Sequence, residues 1–148
     1  MTKVLVTGCF DILHNGHIQF IENAAKYGDE LYVGVCSDYN YVQTKTRIPI
    51  FNEAERLYMI KALKWVKDAA IATGTGKCDF ENVVQKFKPD VLIVNNDQDV
   101  PEKHELCKKY GISIIVLNRE KYHDELPTRS SFDIKKYIKG FDLNEDKK

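Results

Sequence analysis

Short β-branched runs that alternate with longer stretches of helical spacing constrain this fold more than any other feature of the chain. The runs cover residues 4–7, 31–36, 69–72, 91–94 and 113–117. Between them, Ile18, Ile21 and Ala25 share one face of residues 17–27, and Leu57, Ile60, Leu63 and Lys64 recur at three- and four-residue steps within 52–66. Val83, Val84 and Phe87 do the same ahead of Lys88-Pro89, and Leu106 and Tyr110 mark a shorter helix between Pro101 and Gly111. Strands alternating with helices predict a parallel sheet with crossovers on both faces. Runs that are apolar throughout suit strands buried on both sides. At 148 residues the chain has the length of one domain with a full core. The expected fold is therefore a single α/β domain, Rossmann-like and doubly wound, with about five parallel strands. It spans residues 1–140 and leaves a polar tail at 141–148.

The punctuation agrees with this division. Gly28 stands where the first helix should stop. Asn52 can cap the next helix, with Glu55 three residues on as its capping-box partner. Ser130 or Ser131 can cap a last helix over residues 132–138. The polar connection at 119–128 is long for so short a chain, and long connections often carry function.

Several classes are disfavoured. Lys plus Arg is 22 and Asp plus Glu is 22, so the net charge is zero and nothing global attracts nucleic acid or an anionic membrane. No apolar stretch approaches 18 residues, and residues 1–6 do not resemble a targeting segment, so no membrane insertion and a cytoplasmic location are expected. Cys9, Cys36, Cys78 and Cys107 form no C-x-x-C pair, which predicts thiols in place of a zinc site or a disulfide framework.

Chemistry concentrates in residues 7–17, Thr7-Gly8-Cys9-Phe10-Asp11-Ile12-Leu13-His14-Asn15-Gly16-His17. This stretch leaves the first strand and opens the first helix, where ligands of parallel α/β sheets sit. Free backbone N–H groups at a helix start favour phosphate. Gly8 and Gly16 allow close approach, and His14 and His17 reach the same place as donors. A zinc reading of H-x-x-H finds only His104 and His123 as further histidines, both in polar stretches, and no direct metal ligand is assigned.

The run from Gly8 to His17 resembles the signature G-x-F-D-x-x-H-x-G-H of the cytidylyltransferase-like nucleotidyltransferases, matched at every fixed position. The resemblance covers about residues 3–138 and is greatest to glycerol-3-phosphate and choline- or ethanolamine-phosphate cytidylyltransferases. Heptose-phosphate adenylyltransferases and archaeal FAD synthetases share the pattern. The resemblance implies that His14 and His17 stabilise the transition state at a nucleotide α-phosphate, with Lys45 as the phosphate-binding lysine of the basic loop Thr44-Lys45-Thr46-Arg47. It implies a nucleotide site built from Thr7, Gly8, Cys9, Phe10, Asp11, His14, Gly16 and His17. Asp97, Arg119, Arg129, Ser130 and Ser131 complete that site, with either Arg119 or Arg129 on the triphosphate. Asp11, Asp38, Lys45 and Arg56 fall on the acceptor side. Asn95 replaces the usual glycine before Asp97, and Arg129 replaces an isoleucine before the serines. Ser130 and Ser131 serve either phosphates or a plain N-cap. Trp65 reads as core packing or a dimer contact ahead of a ligand platform, and Tyr122, His123 and Asp124 serve either the acceptor or solvent.

The reaction implied is transfer of CMP from CTP to a small phospho-alcohol such as glycerol 3-phosphate, with Mg²⁺ on the triphosphate and pyrophosphate leaving. The same family implies a homodimer. The nearest alternative is adenylyl transfer from ATP to FMN or a sugar phosphate; Pro89-Asp90-Val91 and Asp97-Gln98 fit it equally well. A non-catalytic nucleotide-binding module is the remaining alternative, and the intact His14, Gly16, His17, Lys45 and Ser130 weigh against it.

Overall fold

The computed structural model describes residues 1–119 and 123–141. In chain order the elements are β1 (Lys3–Gly8), α1 (Asn15–Ala25), β2 (Glu30–Cys36), α2 (Asp38–Lys45), α3 (Glu53–Lys61), β3 (Val66–Ala72), α4 (Glu81–Phe87), β4 (Val91–Asn95), α5 (Pro101–Tyr110), β5 (Ser113–Leu117) and α6 (Ser131–Lys139). The five strands form one sheet in the order β3-β2-β1-β4-β5, and every pairing is parallel.

Register and alternation divide the core in two. Leu5, Tyr32 and Leu92 face one side of the sheet and pack with Val83 and Phe87 of α4 and Leu106 of α5. Val4, Val6, Val33 and Ile93 face the other and pack with Ile21 of α1 and Ile60 of α3. Val4, Leu5 and Val6 of the central strand are fully buried, as a run apolar on both faces requires. Trp65 is partly buried against the α1/α3 side of this core.

Strand order places the site. The chain builds outward from β1 to β3, then returns across β1 to build β4 and β5 on the other side. The carboxyl ends of β1 and β4 therefore flank a switch point, where loops diverge and leave a crevice. The loop that follows β1 carries the histidines.

Four local expectations are corrected. The stretch around Lys45 is not a loop: α2 runs through Lys45, capped by the Ser37 hydroxyl, and stops at Thr46 in the left-handed region. Only Asn40 and Tyr41 of α2 are buried, so it carries almost no apolar stripe. The helix expected over 52–66 ends at Lys61, and β3 begins at Val66, three residues before the expected strand. As an edge strand β3 exposes Lys67, and its apolar run is broken there. Gly28 is not a left-handed cap. A Cβ there would lie 2.6 Å from Val4 Cγ2 and 2.8 Å from the Thr2 carbonyl oxygen, so closeness to β1 explains the glycine. The Asn52–Glu55 capping box forms as expected. The tail at 142–148 lies outside the described residues. No helix among the described residues is long and apolar enough to cross a membrane.

Candidate active site

The loop after β1 is held in an uncommon shape. Phe10 is buried and adopts φ 52°, a left-handed conformation that costs a bulky residue of order 1–3 kcal/mol. Its ring folds back over Gly8, where a Cβ would come within 2.8 Å of Phe10 Cζ. The same ring meets His17 edge-on, centroids 5.3 Å apart. Gly8 thus makes room for Phe10, and Phe10 fixes a wall of His17. Beside them the Cys9 thiol is pulled down to about 7, first by a hydrogen bond with Cys36, against burial, with the charges of Lys45 and Arg56 adding to the pull. All four cysteines are free.

His14 and His17 form one unit. His14 is the N-cap of α1, and its Nδ1 accepts from the Gly16 N–H at 3.1 Å. His17 Nδ1 accepts from the His14 backbone N–H at 3.4 Å. The rings stack with centroids 3.8 Å apart. A ring nitrogen that accepts carries no proton, so each neutral imidazole bears its proton on Nε2. Burial lowers the pKa of both rings. His17 is taken to about 3, with His14 and Arg119 adding to burial and Asp11 opposing; Arg119 also depresses His14. Two neutral Nε2–H donors side by side can hydrogen-bond a phosphate without acting as a base. Gly16 is required here because a Cβ would sit 2.9 Å from His14 Cε1 and 3.1 Å from the Arg129 carbonyl oxygen.

Asp11 is the hub beneath them. It is 3% exposed and accepts from Lys135 Nζ at 2.8 Å, the Tyr41 hydroxyl at 3.0 Å and the Phe51 N–H at 3.1 Å. Burial alone would raise its pKa, but these hydrogen bonds outweigh it and hold the carboxylate below the ordinary range. Arg47 Nε also reaches the Tyr41 hydroxyl, at 3.4 Å. Asp11 so ties α2, the 47–51 segment and α6 to the loop after β1. Lys135 and Tyr41 are functional candidates that sequence reasoning missed. The one signal for Lys135 was its place five residues after Ser130; Tyr41 lay on the helix that went unread.

Arg56 departs from its expected place on the acceptor side. It is fully buried, and its guanidinium donates to the carbonyls of Phe51 (3.0 Å), Cys9 (2.9 Å) and Cys36 (2.7 Å) and to Asp38 (2.7 Å). It clamps the carboxyl ends of β1 and β2 and has no surface to offer a ligand. Asp38 is committed to that ion pair, with its side chain 38% exposed. Lys45 stands exposed at the end of α2.

Across the switch point, Arg119 pairs with Asp97 at 2.7 Å. Asp97 lies in a single 3-10 turn, Asn96–Gln98, after β4. Lys103 of α5 is buried and donates to the Gln98 carbonyl at 2.9 Å, which steadies that turn. Ser130 is the N-cap of α6, its hydroxyl accepting from the Asp133 N–H at 3.1 Å, and Ser131 opens the helix. The Arg129 carbonyl beside Gly16 brings the start of α6 against the start of α1. Of the two candidate arginines, Arg119 is the one whose charge reaches both histidines. His123 is bound to α1, through Glu22 at 2.7 Å and through its N–H to Gln19 Oε1 at 3.0 Å, and Asp124 is exposed. Tyr122 lies outside the described residues.

Among the described residues no group of three or more His, Cys, Asp or Glu could hold a metal ion. The nearby carboxylates Asp11, Asp38 and Asp97 are each engaged by a cation. Such a donor set suits a divalent ion held mainly by phosphate oxygens and water.

Residues 5–137 match the family model described as cytidylyltransferase-like. The chain is 40% identical to the FAD synthase of Aciduliprofundum boonei, over 84% of this chain and 82% of that one. It is 36% identical to the FAD synthase of Methanothermobacter thermautotrophicus, over 99% of this chain and 97% of that one. Among solved structures, the lipopolysaccharide core biosynthesis protein of Thermoplasma volcanium superposes with a TM-score of 0.66 at 36% identity, covering 83% of this chain and 99% of that one. A putative nicotinate-nucleotide adenylyltransferase of Vibrio parahaemolyticus gives a TM-score of 0.57 at 14% identity over 97% of this chain and 91% of that one, a likeness of fold alone. These relatives overturn the expectation of CTP and a phospho-alcohol. The relatives named FAD synthase match over most of their own length.

Proposed function

The chain belongs to the cytidylyltransferase-like family and is a nucleotidyltransferase, and on that premise we propose that it transfers AMP from ATP to FMN, giving FAD and pyrophosphate. The relatives named FAD synthase support the choice of ATP and FMN. The observation that carries the chemistry is the stacked pair His14 and His17, each with Nδ1 occupied by a backbone N–H.

A phosphate oxygen of FMN attacks the α-phosphorus of ATP in line. The new P–O bond forms as the bond to the β-phosphate bridge breaks, and pyrophosphate takes the electron pair. Little covalent work falls to the protein, so positioning and charge stabilisation dominate. His14 and His17 donate from Nε2 to the α-phosphate as its charge spreads. Arg119, Lys45, Ser130 and Ser131 meet the other phosphates, with the N–H groups at the starts of α1 and α6 aiding them. Thr7, Gly8, Cys9, Phe10 and Gly16 shape the loop around the nucleotide, and Asp97 with its turn stands on the ribose and base side. Arg129 contributes its backbone beside Gly16. Asp11, Asp38 and Arg56 act from beneath by fixing the loop. A divalent ion such as Mg²⁺, carried on the triphosphate, supplies further charge neutralisation. A homodimer remains part of the proposal, and sedimentation equilibrium tests it.

The test of the reaction is pyrophosphate release with each of four nucleoside triphosphates against FMN, a sugar phosphate and a phospho-alcohol. Release only with ATP and FMN supports the reading. Release with ATP and only the sugar phosphate moves the acceptor, a second reading favoured by the likeness to the lipopolysaccharide core biosynthesis protein of Thermoplasma volcanium. Silence with ATP throughout removes the adenylyltransferase.

A further inference from the structure

An open groove of about 400 Å³ runs along the outer face of α3, lined by Phe51, Asn52, Ala54, Glu55, Tyr58 and Met59. That volume lies within the range of small-molecule sites, roughly 300–1,000 Å³. Exposed apolar side chains stand in and just before it in the chain: Tyr58 of the groove is 78% exposed, and Ile48 and Ile50, preceding Phe51, are 79% and 61% exposed. Scattered apolar residues on a surface need no explanation; what distinguishes these is that Tyr58 lines a groove and that Ile48 and Ile50 immediately precede Phe51, which lines it too.

The groove is joined to the active site through the backbone. Phe51 lines it, and the Phe51 N–H donates to Asp11 at 3.1 Å, within the loop that carries the histidines. At that junction stand two cations, Lys135 and Arg47, both within 3.4 Å of the Tyr41 hydroxyl. Cations at one end and an apolar trough at the other complement a molecule with a phosphate at one end and a flat, weakly polar ring system at the other. Resting on the reading of FMN as acceptor, we propose that this groove is the binding site for the isoalloxazine ring, with Tyr58 and Ile50 as specificity-determining residues. Tyr58 offers the ring a stacking face, and Ile50 covers the edge nearer the phosphate. In this proposal the ribityl chain runs from the groove past Phe51 toward Asp11, Tyr41 and Lys135, with the phosphate on the side of the histidine loop and the ring outside it. Adenylyl acceptors without a ring gain nothing from the groove.

Tyr58→Ser and Ile50→Ser test this, since both side chains are exposed and neither substitution empties the core. Stacking and apolar contacts of this kind are worth about tenfold or more in affinity each. The expected result is a KM for FMN raised about tenfold in each variant, with the KM for ATP within about twofold of the parent. Quenching of FMN fluorescence by the protein without ATP should weaken in parallel. If the parent quenches FMN and the variants do not, while no FAD forms in any, the groove stands and the transfer reading fails. An unchanged KM for FMN, or an equal rise in both KM values, overturns the groove. A fall in molar mass of the variants by light scattering, with FMN quenching intact, assigns the face to a second copy of the chain and overturns it as well.

Discussion

The imidazoles of His14 and His17 stack 3.8 Å apart, and the backbone N–H of His14 donates to Nδ1 of His17. One residue therefore presents its own side chain and also orients its neighbour's. This arrangement leaves both Nε2–H groups as the free donors, and it accounts for G-x-F-D-x-x-H-x-G-H as a geometric demand: a cap, a glycine for the cap's ring, and a second ring one turn on.

Replacing His17 by Ala removes one preorganised donor. Such a loss costs about 2.7–4 kcal/mol of barrier, or about 10²–10³ in kcat. His17→Gln places an amide N–H near the position of Nε2 and should recover part of the rate, whereas His17→Asn should not. Single-turnover rates at saturating ATP and FMN measure this, and an unchanged kcat in His17→Ala removes the role assigned.

Acid should destabilise the fold through the same residue. His17 titrates near 3 in the folded chain against an ordinary value of 6.5, so between those limits the unfolded chain binds more protons. Stability is then unaffected above about pH 6.5 and falls as pH drops through the window toward 3, by a few kcal/mol at most since the ring is only partly buried. Urea midpoints from pH 7 to pH 4 should decline less steeply in His17→Asn than in the parent; parallel slopes refute the assignment.

Arg56 should behave as a structural clamp. Arg56→Met leaves three carbonyls without their donor and the part-exposed Asp38 without its partner; unsatisfied buried acceptors cost about 1–3 kcal/mol each, so a loss of at least about 2 kcal/mol is expected, carried mainly by the carbonyls. Chemical denaturation measures it. A variant of parental stability with a raised KM for FMN would return Arg56 to the acceptor side.

Lys135 should fasten the last helix. No residue of α6 is buried, and Phe132 and Tyr137 on it are 70% and 72% exposed, so its bond to Asp11 is a principal tether. A hydrogen bond to a charged group is worth about 1.5–3 kcal/mol. Lys135→Met should speed hydrogen exchange across α6 and raise the KM for ATP, through Ser130 and Ser131, more than it lowers kcat. Unaltered exchange in α6 would contradict the tether.

The sheet was legible because its inner strands β2, β1 and β4 carry runs buried on both faces: Val4, Leu5 and Val6 announce the centre without any structural knowledge. The start of β3 was not, because Lys67 on an edge breaks the apolar run. α2 escaped because only Asn40 and Tyr41 turn inward, leaving no stripe to read. In the site, the residues within one turn of each other, His14, Gly16 and His17, could be read from spacing. Tyr41 and Lys135 could not, since they meet Asp11 across 30 and 124 residues of chain. Arg56 was noticed but misplaced, because its partners are backbone carbonyls that carry no sequence signal. The choice of base and acceptor was misread in favour of CTP, since phosphate handling fixes the signature and the base and acceptor do not.

The most direct test of the whole account is chromatographic detection of FAD from ATP, FMN and Mg²⁺, run side by side with the parent and His17→Ala. The account predicts FAD and pyrophosphate in equal amounts from the parent, a rate about 10²–10³ lower from the variant, and no product when CTP replaces ATP. Absence of FAD with the parent, or formation of FAD at the same rate by both proteins, would contradict it.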